Sequence, residues 1–257
     1  MIPAAADASQ EEFLICVLAR LIGGAGHIAV GAASPIPGSA ALLQRQLSGG
    51  ATRVSLIHGQ ANNPFTDGGR ELFDCAGQGR IDVFFLGGGQ IDGQADINLV
   101  GVGGYPQSKV RFPGSFGSAY MYFVVPRVIL FREEHSRRVL VPKVECISAP
   151  GTSAPGVYRP GGPKALVTGM ALMSFDGARR RFRLESVHPG HTVEEVLDNT
   201  GFEIDVPAAV LATPSPEPDR LHLLRDVIAG EIGKTYPAFA ERVFGRVASA
   251  PRSTAGA

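Results

Sequence analysis

Five stretches of this chain are apolar at nearly every position: HIAVGAA from His27, RVSLIHG from Arg53, RIDVFFLGG from Arg80, RVILFRE from Arg127 and KALVTGMALMSF from Lys164. A strand with one face in water alternates apolar with polar residues, and these do not. Unbroken apolar strands belong in a parallel sheet covered on both faces. The cover comes from helices. EEFLICVLARLI (Glu11 to Ile22) is apolar around most of its circumference and stops at GGAG, and SPIPGSAALLQRQL (Ser34 to Leu47) starts through prolines with Ser34 or Ser39 as cap. Early alternation of helices and strands sets the class as α/β, an open, mostly parallel sheet with flanking helices.

With 44% hydrophobic and 19% charged residues, the 257-residue chain can bury a substantial core, and it reads as one domain over residues 1–245. The run GRVASAPRSTAGA predicts a disordered tail over 246–257. A formal net charge of zero points away from nucleic acid and from anionic membranes, and no apolar run is long enough to span a bilayer. Cys16, Cys75 and Cys146 are odd in number and far apart, which fits buried thiols in a reducing cytoplasm.

Later segments carry local signals. Asp176-Gly177 marks a hairpin turn, and the arginines from Arg179 to Arg183 fit either a solvated edge strand or an anion site. Thr192 and Glu195 form a capping-box pattern whose short helix closes at Gly201, and a final helix is predicted over Pro218 to Ile232 after an extended stretch from Val206. His188 and His191 flank Pro-Gly with no third ligand nearby, so no metal site is expected. GAGHIA (Gly24 to Ala29) spells G-x-G-x-x-A, but it follows a helix and precedes a strand, the reverse of the dinucleotide-binding order.

Chemistry-bearing residues concentrate between Phe84 and Ala119, FFLGGGQIDGQADINLVGVGGYPQSKVRFPGSFGSA. A buried strand breaks into three glycines and presents Gln90 and Asp92. A second glycine patch leads to Lys109, Arg111 and then Gly114, Ser115, Gly117 and Ser118. Backbone N–H groups and small hydroxyls on such turns can hold an acyl or enolate oxygen. The same pattern also serves as tight turns with Asp92 as a cap.

FLGGGQIDGQADIN, KVRFPGSFGSA and VLVPKVECISAPG, with LARLIGGAGHIAVGAASPIPGSAALL and FRLESVHPGHTVEEVLDNTGFE, resemble in order the β subunits of class I, glutaconate-type coenzyme A transferases. The resemblance spans roughly Glu11 to Leu224. It implies that family's fold, an α-subunit partner in an α2β2 heterotetramer, and an acyl-CoA substrate with no further cofactor. The family's second strand normally ends in Glu-Ser-Gly, whose glutamate attacks the thioester. Here the matching residues are Ile57, His58 and Gly59, and no carboxylate occurs between Phe13 and Thr66. Ala95-Asp96 stands where the family often has Gly-Asn, and Phe116 where it has a small residue.

One actinobacterial branch of the family lacks this glutamate and opens the last ring of a steroid-derived cyclic keto acyl-CoA in cholesterol catabolism; the chain resembles its β subunits. That implies a hydrolase subunit with no catalytic residue of its own. The base comes from the α subunit, and His58, Gln90, Asp92, Gly114, Ser115, Gly117 and Ser118 line the substrate. The alternatives are a transferase whose glutamate is supplied by the partner and a non-catalytic structural subunit.

Overall fold

The computed structural model describes residues 8–245. The predicted 246–257 tail lies outside the described residues. The chain opens with α1 (Gln10–Ile22), β1 (His27–Val30), α2 (Pro35–Leu47), β2 (Arg53–Leu56), α3 (Gly69–Gly77) and β3 (Val83–Leu86). Two small hairpins follow, β4 (Gln90–Ile91) with β5 (Ile97–Asn98) and β6 (Gly101–Val102) with β7 (Val110–Arg111). Then come α4 (Ser118–Val124), β8 (Arg127–Arg132), β9 (Pro163–Thr168), β10 (Ala171–Asp176), β11 (Arg181–Val187), α5 (Val193–Asp198) and β12 (Leu211–Ala212). The described residues close with α6 (Pro218–Leu223), α7 (Ala229–Gly233) and α8 (Pro237–Phe244), with a π turn over Leu224–Ile228 joining α6 to α7.

Eight strands form one sheet in the order β12-β11-β10-β9-β8-β3-β1-β2. From β2 through β9 every neighbour is parallel, whereas β9/β10 and β10/β11 are antiparallel. Mostly parallel is therefore the right description, and both faces are covered as the apolar strands require. Successive side chains on a strand point to opposite faces. Ile28, Val30, Val83, Phe85 and Ile129 pack with α1, α2 and the C-terminal helices, while Ala29, Phe84, Leu86, Val128 and Leu130 pack with α3, α4 and α5. Each strand feeds two cores, so the strands are apolar at nearly every position, and the polar pair His27 and Ser55 satisfies itself at 2.8 Å.

Several local expectations change. KALVTGMALMSF is two antiparallel strands, turned where the Thr168 hydroxyl accepts from the Met170 and Ala171 amides at 3.3 and 3.1 Å. Ser34 sits at the N-cap of α2 but makes no side-chain cap bond; its hydroxyl donates to Ala32 O at 3.1 Å, and Ser39 lies inside the helix and donates to Pro35 O at 2.9 Å. Pro35 in the first turn removes an amide that needed no partner, so a cap is dispensable there. The helix after Thr192 has the capping box but ends at Asn199, because the Gly201 amide is taken by Leu140 O at 2.8 Å. The helix from Pro218 is not the last, since α8 follows it.

The arginine run is only partly an edge. Residues Ser186 and Val187 of β11 pair with β12, and Arg183 bridges to Asp205. Arg179 pairs with Asp205, Arg181 reaches Glu203 at 2.9 Å, and Arg183 lies 4.0 Å from Glu185. Carboxylates thus pair Arg179, Arg181 and Arg183, and Arg180 donates to Ser153 O at 2.9 Å, an arrangement that favours the solvated-strand reading over an anion site. Cys16 is buried, Cys75 and Cys146 are half-buried, and none is bridged. Among the described residues no helix is long and apolar enough to cross a membrane, and no three His, Cys, Asp or Glu side chains are placed to share a metal.

Candidate active site

The strand order reverses at β1, with β2 on one side and β3 on the other. In open α/β sheets the crevice beyond the carboxyl ends at such a reversal is where ligands bind. A cleft of about 1220 Å³ opens there. It is lined by Gly31 to Pro37 after β1, Ile57 after β2, Gly87 to Gly89 after β3 and Arg132 to Glu134 at the end of β8. Leu72 and Phe73 of α3, the segment Phe112 to Ser118, Met121 of α4, and Phe239 and Arg242 of α8 complete it. A second cavity, about 160 Å³ around Arg127, Lys164 and Glu185, lies at the other end of these strands and is too small for an acyl thioester.

The predicted residues divide into two groups. Ile57, Gly114, Ser115, Gly117 and Ser118 stand together on the cleft. His58, Gln90 and Asp92 do not. His58 is exposed and stacks on Tyr236 with ring centroids 5.7 Å apart. Gln90 is buried, and its Oε1 accepts from Asn98 Nδ2 at 2.8 Å and from the Glu145 amide at 3.2 Å. Asp92 accepts from the Gln94 and Asp96 amides at 3.0 and 3.1 Å and from the Val144 amide at 3.2 Å. Gln90 and Asp92 therefore act as acceptors inside the protein, tying the β4–β5 hairpin to the segment around Val144. Of the two roles open to Asp92, the geometry takes the turn cap.

The segment from Gly114 to Ser118 is held by crowding. A Cβ at Gly117 would lie 2.0 Å from the tip of the Phe73 ring, so a larger residue would have to displace that ring where α4 approaches α3. Phe116 adopts φ +39° and is 87% exposed, its ring 5.5 Å from that of Phe73. Ala95, where the family often has glycine, has φ +61°. Both departures thus fall on backbone that favours glycine, and Phe116 is strained to place an aromatic ring on the cleft. Ser118 is buried, and its hydroxyl has no hydrogen-bond partner among the described residues. A buried hydroxyl without a partner is costly unless something else supplies one.

The opposite wall is charged. Arg132, Glu133 and Glu134 are absent from the sequence-predicted site, although they follow an apolar strand just as the glycines do. The Glu134 carboxylate accepts from Ser136 Oγ at 2.6 Å and from Arg138 Nη2 at 2.6 Å, and these donors hold it below the usual carboxylate range. Arg242 pairs with Glu11 across the ends of α8 and α1. The cleft is therefore apolar and hydroxyl-bearing on one side and ionic on the other.

Residues 14–199 match the family model described as Coenzyme A transferase. The chain belongs to the coenzyme A transferase family. It is 35% identical over 153 residues to the 3-oxoadipate CoA-transferase B-subunit of Pseudomonas knackmussii, covering 57% of this chain and 58% of that one. It is 33% identical to the glutaconate CoA-transferase B-subunit of Acidaminococcus fermentans, over 57% of this chain and 56% of that one. To the cholesterol ring-cleaving hydrolase IpdB subunit of Rhodococcus jostii it is 29% identical, over 62% and 64%. The chain thus matches about three-fifths of the length of these curated relatives.

Among solved structures, R. jostii RHA1 IpdAB superposes with a TM-score of 0.75 at 24% identity, covering 86% of this chain and 94% of that one. The decarboxylase AibA/AibB superposes at 0.73, with 24% identity and coverage of 85% and 94%. At these identities the superpositions establish the fold, the mostly parallel open sheet of coenzyme A transferases.

Proposed function

We propose that this chain is the β-type subunit of a hydrolase that opens a ring of a steroid-derived cyclic keto acyl-CoA, working with an α-type partner in an α2β2 assembly in the cytoplasm. The observation that carries this is Ile57. The carboxyl end of β2 reaches the cleft, but it presents an aliphatic side chain where covalent CoA transfer needs a carboxylate. The facing wall of Leu72, Phe73, Phe112, Phe116 and Met121 suits an alicyclic body.

In this reading a base on the partner takes a proton from water, and hydroxide adds to the ring ketone. The ring carbon–carbon bond then breaks toward the carbon beside the thioester, leaving a carboxylate and a thioester enolate that is reprotonated. The Ser118 hydroxyl, buried and without a partner, together with Ser115 and the glycine backbone, supplies donors for the enolate oxygen. This chain shapes the pocket and stabilises charge, and the proton transfers belong to the partner.

A transferase reading has one point in its favour, since the relatives at 33–35% identity are transferase subunits. It requires the attacking carboxylate to come from the partner. Incubating the purified complex with a cyclic keto acyl-CoA, with and without an acceptor acid, separates the two. Ring opening without acceptor, and no hydroxylamine-sensitive adduct on this chain, is expected. Product formed only with the acceptor present would overturn the hydrolase.

A further inference from the structure

Two arginines line the cleft, Arg132 at the end of β8 and Arg242 on α8. Arg242 is paired with Glu11. Arg132 is not engaged in this way. Its nearest carboxylate is Glu134, 3.6 Å from Nη2 and beyond hydrogen-bond length. That carboxylate is already taken by Ser136 and Arg138, at 2.6 Å each. The Arg132 side chain makes no hydrogen bond among the described residues; its Nε is buried without an acceptor, while the side chain as a whole is 41% exposed. A guanidinium carries five donors and keeps its charge at any working pH. Leaving those donors unused in a partly buried site is costly unless an anion completes it.

Strand geometry aims this cation. Alternate side chains share a face, so Arg132 follows Val128 and Leu130, which pack on the α3 and α4 side, while Ile129 packs on the α1 and α2 side. Ser118 opens α4 on that same side and lines the same cleft. The β3/β8 register pairs Leu86 with Leu130, and a Cβ at Gly87 would meet Phe131 O at 2.9 Å, so the chain beyond β3 stays against β8. Arg132 therefore stands beside the glycine run from Gly87 to Gly89, which puts no side chain in its way.

We infer that Arg132 binds a carboxylate on the acyl part of the ligand, and that in the ring opening proposed above it holds the carboxylate that the reaction forms. The inference rests on that reading for its substrate. Hydroxide addition puts one negative charge on the oxygens of the former ketone carbon. Cleavage sends the ring-bond electron pair to the carbon beside the thioester and leaves a carboxylic acid. The enolate carbon then takes the proton held by the partner's base, and the acid gives its own proton to that base. The same two oxygens thus carry charge before cleavage and at the end, and a guanidinium fork matches them as a pair. Arg132 moves no proton. Ser118 faces the enolate oxygen and Arg132 the carboxylate, so each charged group has its own partner on one face of the sheet.

The test is calorimetric titration of the full-length chain, in the complex in which it purifies, with thioesters matched in length and differing by one carboxylate. The pairs are glutaryl- against pentanoyl-CoA and adipoyl- against hexanoyl-CoA. The wild type is expected to favour the carboxylate-ended member of at least one pair. Arg132→Gln should bind that member about 10- to 100-fold more weakly and the methyl-ended one as before, which also shows that the cleft is intact. Arg132→Lys keeps the charge without the fork and should retain part of the preference. A wild type with no preference in either pair overturns the proposal. So does a variant that weakens both members of a pair equally, the result a merely structural role would give. Ring opening by Arg132→Gln at the wild-type kcat/KM removes Arg132 from the reaction and leaves the hydrolase standing. A complex that reads the carboxylate through Arg132 yet opens no ring refutes only the hydrolase.

Discussion

The two halves of the eight-stranded sheet use their strand ends differently. From β2 to β8 the strands are parallel, and all four release their carboxyl ends into one cleft with glycines, Ile57 and a charged triplet. From β9 to β11 the strands are antiparallel, turn back on themselves, and have their ends closed by side-chain bonds. His135 contacts Thr168 Oγ1 at 2.8 Å and Thr200 Oγ1 at 3.0 Å, and His188 contacts Thr213 Oγ1 at 2.8 Å and Thr168 O at 3.0 Å. Beside the cleft the buried Ser118 hydroxyl lacks a partner, whereas these two histidines of the other half have both ring nitrogens engaged. Parallel connections need crossovers, which place loops at one end of the sheet, and hairpins leave no such room. Site and scaffold are therefore separated within a single sheet.

The largest break of this contrast is Gly117→Val. Phe73 occupies the space a Cβ needs, so that ring or α4 must shift, and we expect more than about 10²-fold loss in kcat/KM with the sheet still folded by circular dichroism. Retained activity would place catalysis away from α4. Next comes Ser118→Ala, with about 10²-fold loss in kcat and little change in KM, the scale for one oxyanion donor. Stability should hold or rise slightly, because an unsatisfied buried hydroxyl is removed. Denaturant melts and steady-state kinetics on one preparation check both.

Acid acts on the closed half. Burial pushes His135 and His188 down to about 4 from an ordinary 6.5. Between those values the unfolded chain binds protons that the folded chain does not, so stability is intact above pH 6.5 and falls as pH drops toward 4, by about 3 kcal/mol per imidazole. Urea melts at pH 7.5 and 4.5 measure this, and equal stability at the two pH values would refute the burial argument. The smallest effect is Arg181→Ala, which loses partly exposed pairs with Glu203 and Asp205, each worth under about 1 kcal/mol, and is without effect on turnover.

The sequence made the parallel half legible because both-face burial leaves a direct mark: apolar residues at nearly every position, the buried exceptions Ser55 and His27 being hydrogen-bonded to each other. The β9–β10 hairpin left no such mark. Its turn is made at Gly169-Met170 by the Thr168 hydroxyl and not by an Asn-Gly or Asp-Gly pair. Ile57 and the serines of the segment before α4 were readable because they directly follow strands or fill a glycine-rich turn. Gln90 and Asp92 looked identical to them in sequence. What separates them is a partner 52 or 55 residues away, Val144 or Glu145, which no local pattern encodes. His58 is similar, its stacking partner Tyr236 lying beyond the last helix the sequence predicts. The ionic wall from Arg132 to Glu134 follows β8 as the glycines follow β3, so the same strand-end signal marks it.

The clasp between the two ends of the described chain has a consequence for the order of synthesis. Glu12, buried on α1, also caps that helix with Ser9, and it receives Arg225 of the π turn at 2.6 and 2.7 Å. Phe239 and Arg242, just beyond, supply one wall of a cleft whose floor was translated some two hundred residues earlier. A chain still on the ribosome can build the parallel sheet and expose its glycine loops, but it cannot finish the cleft. Among the described residues that wall arrives last, with α8, and a transcript cut short before Pro237 is expected to yield a sheet whose cleft lacks it.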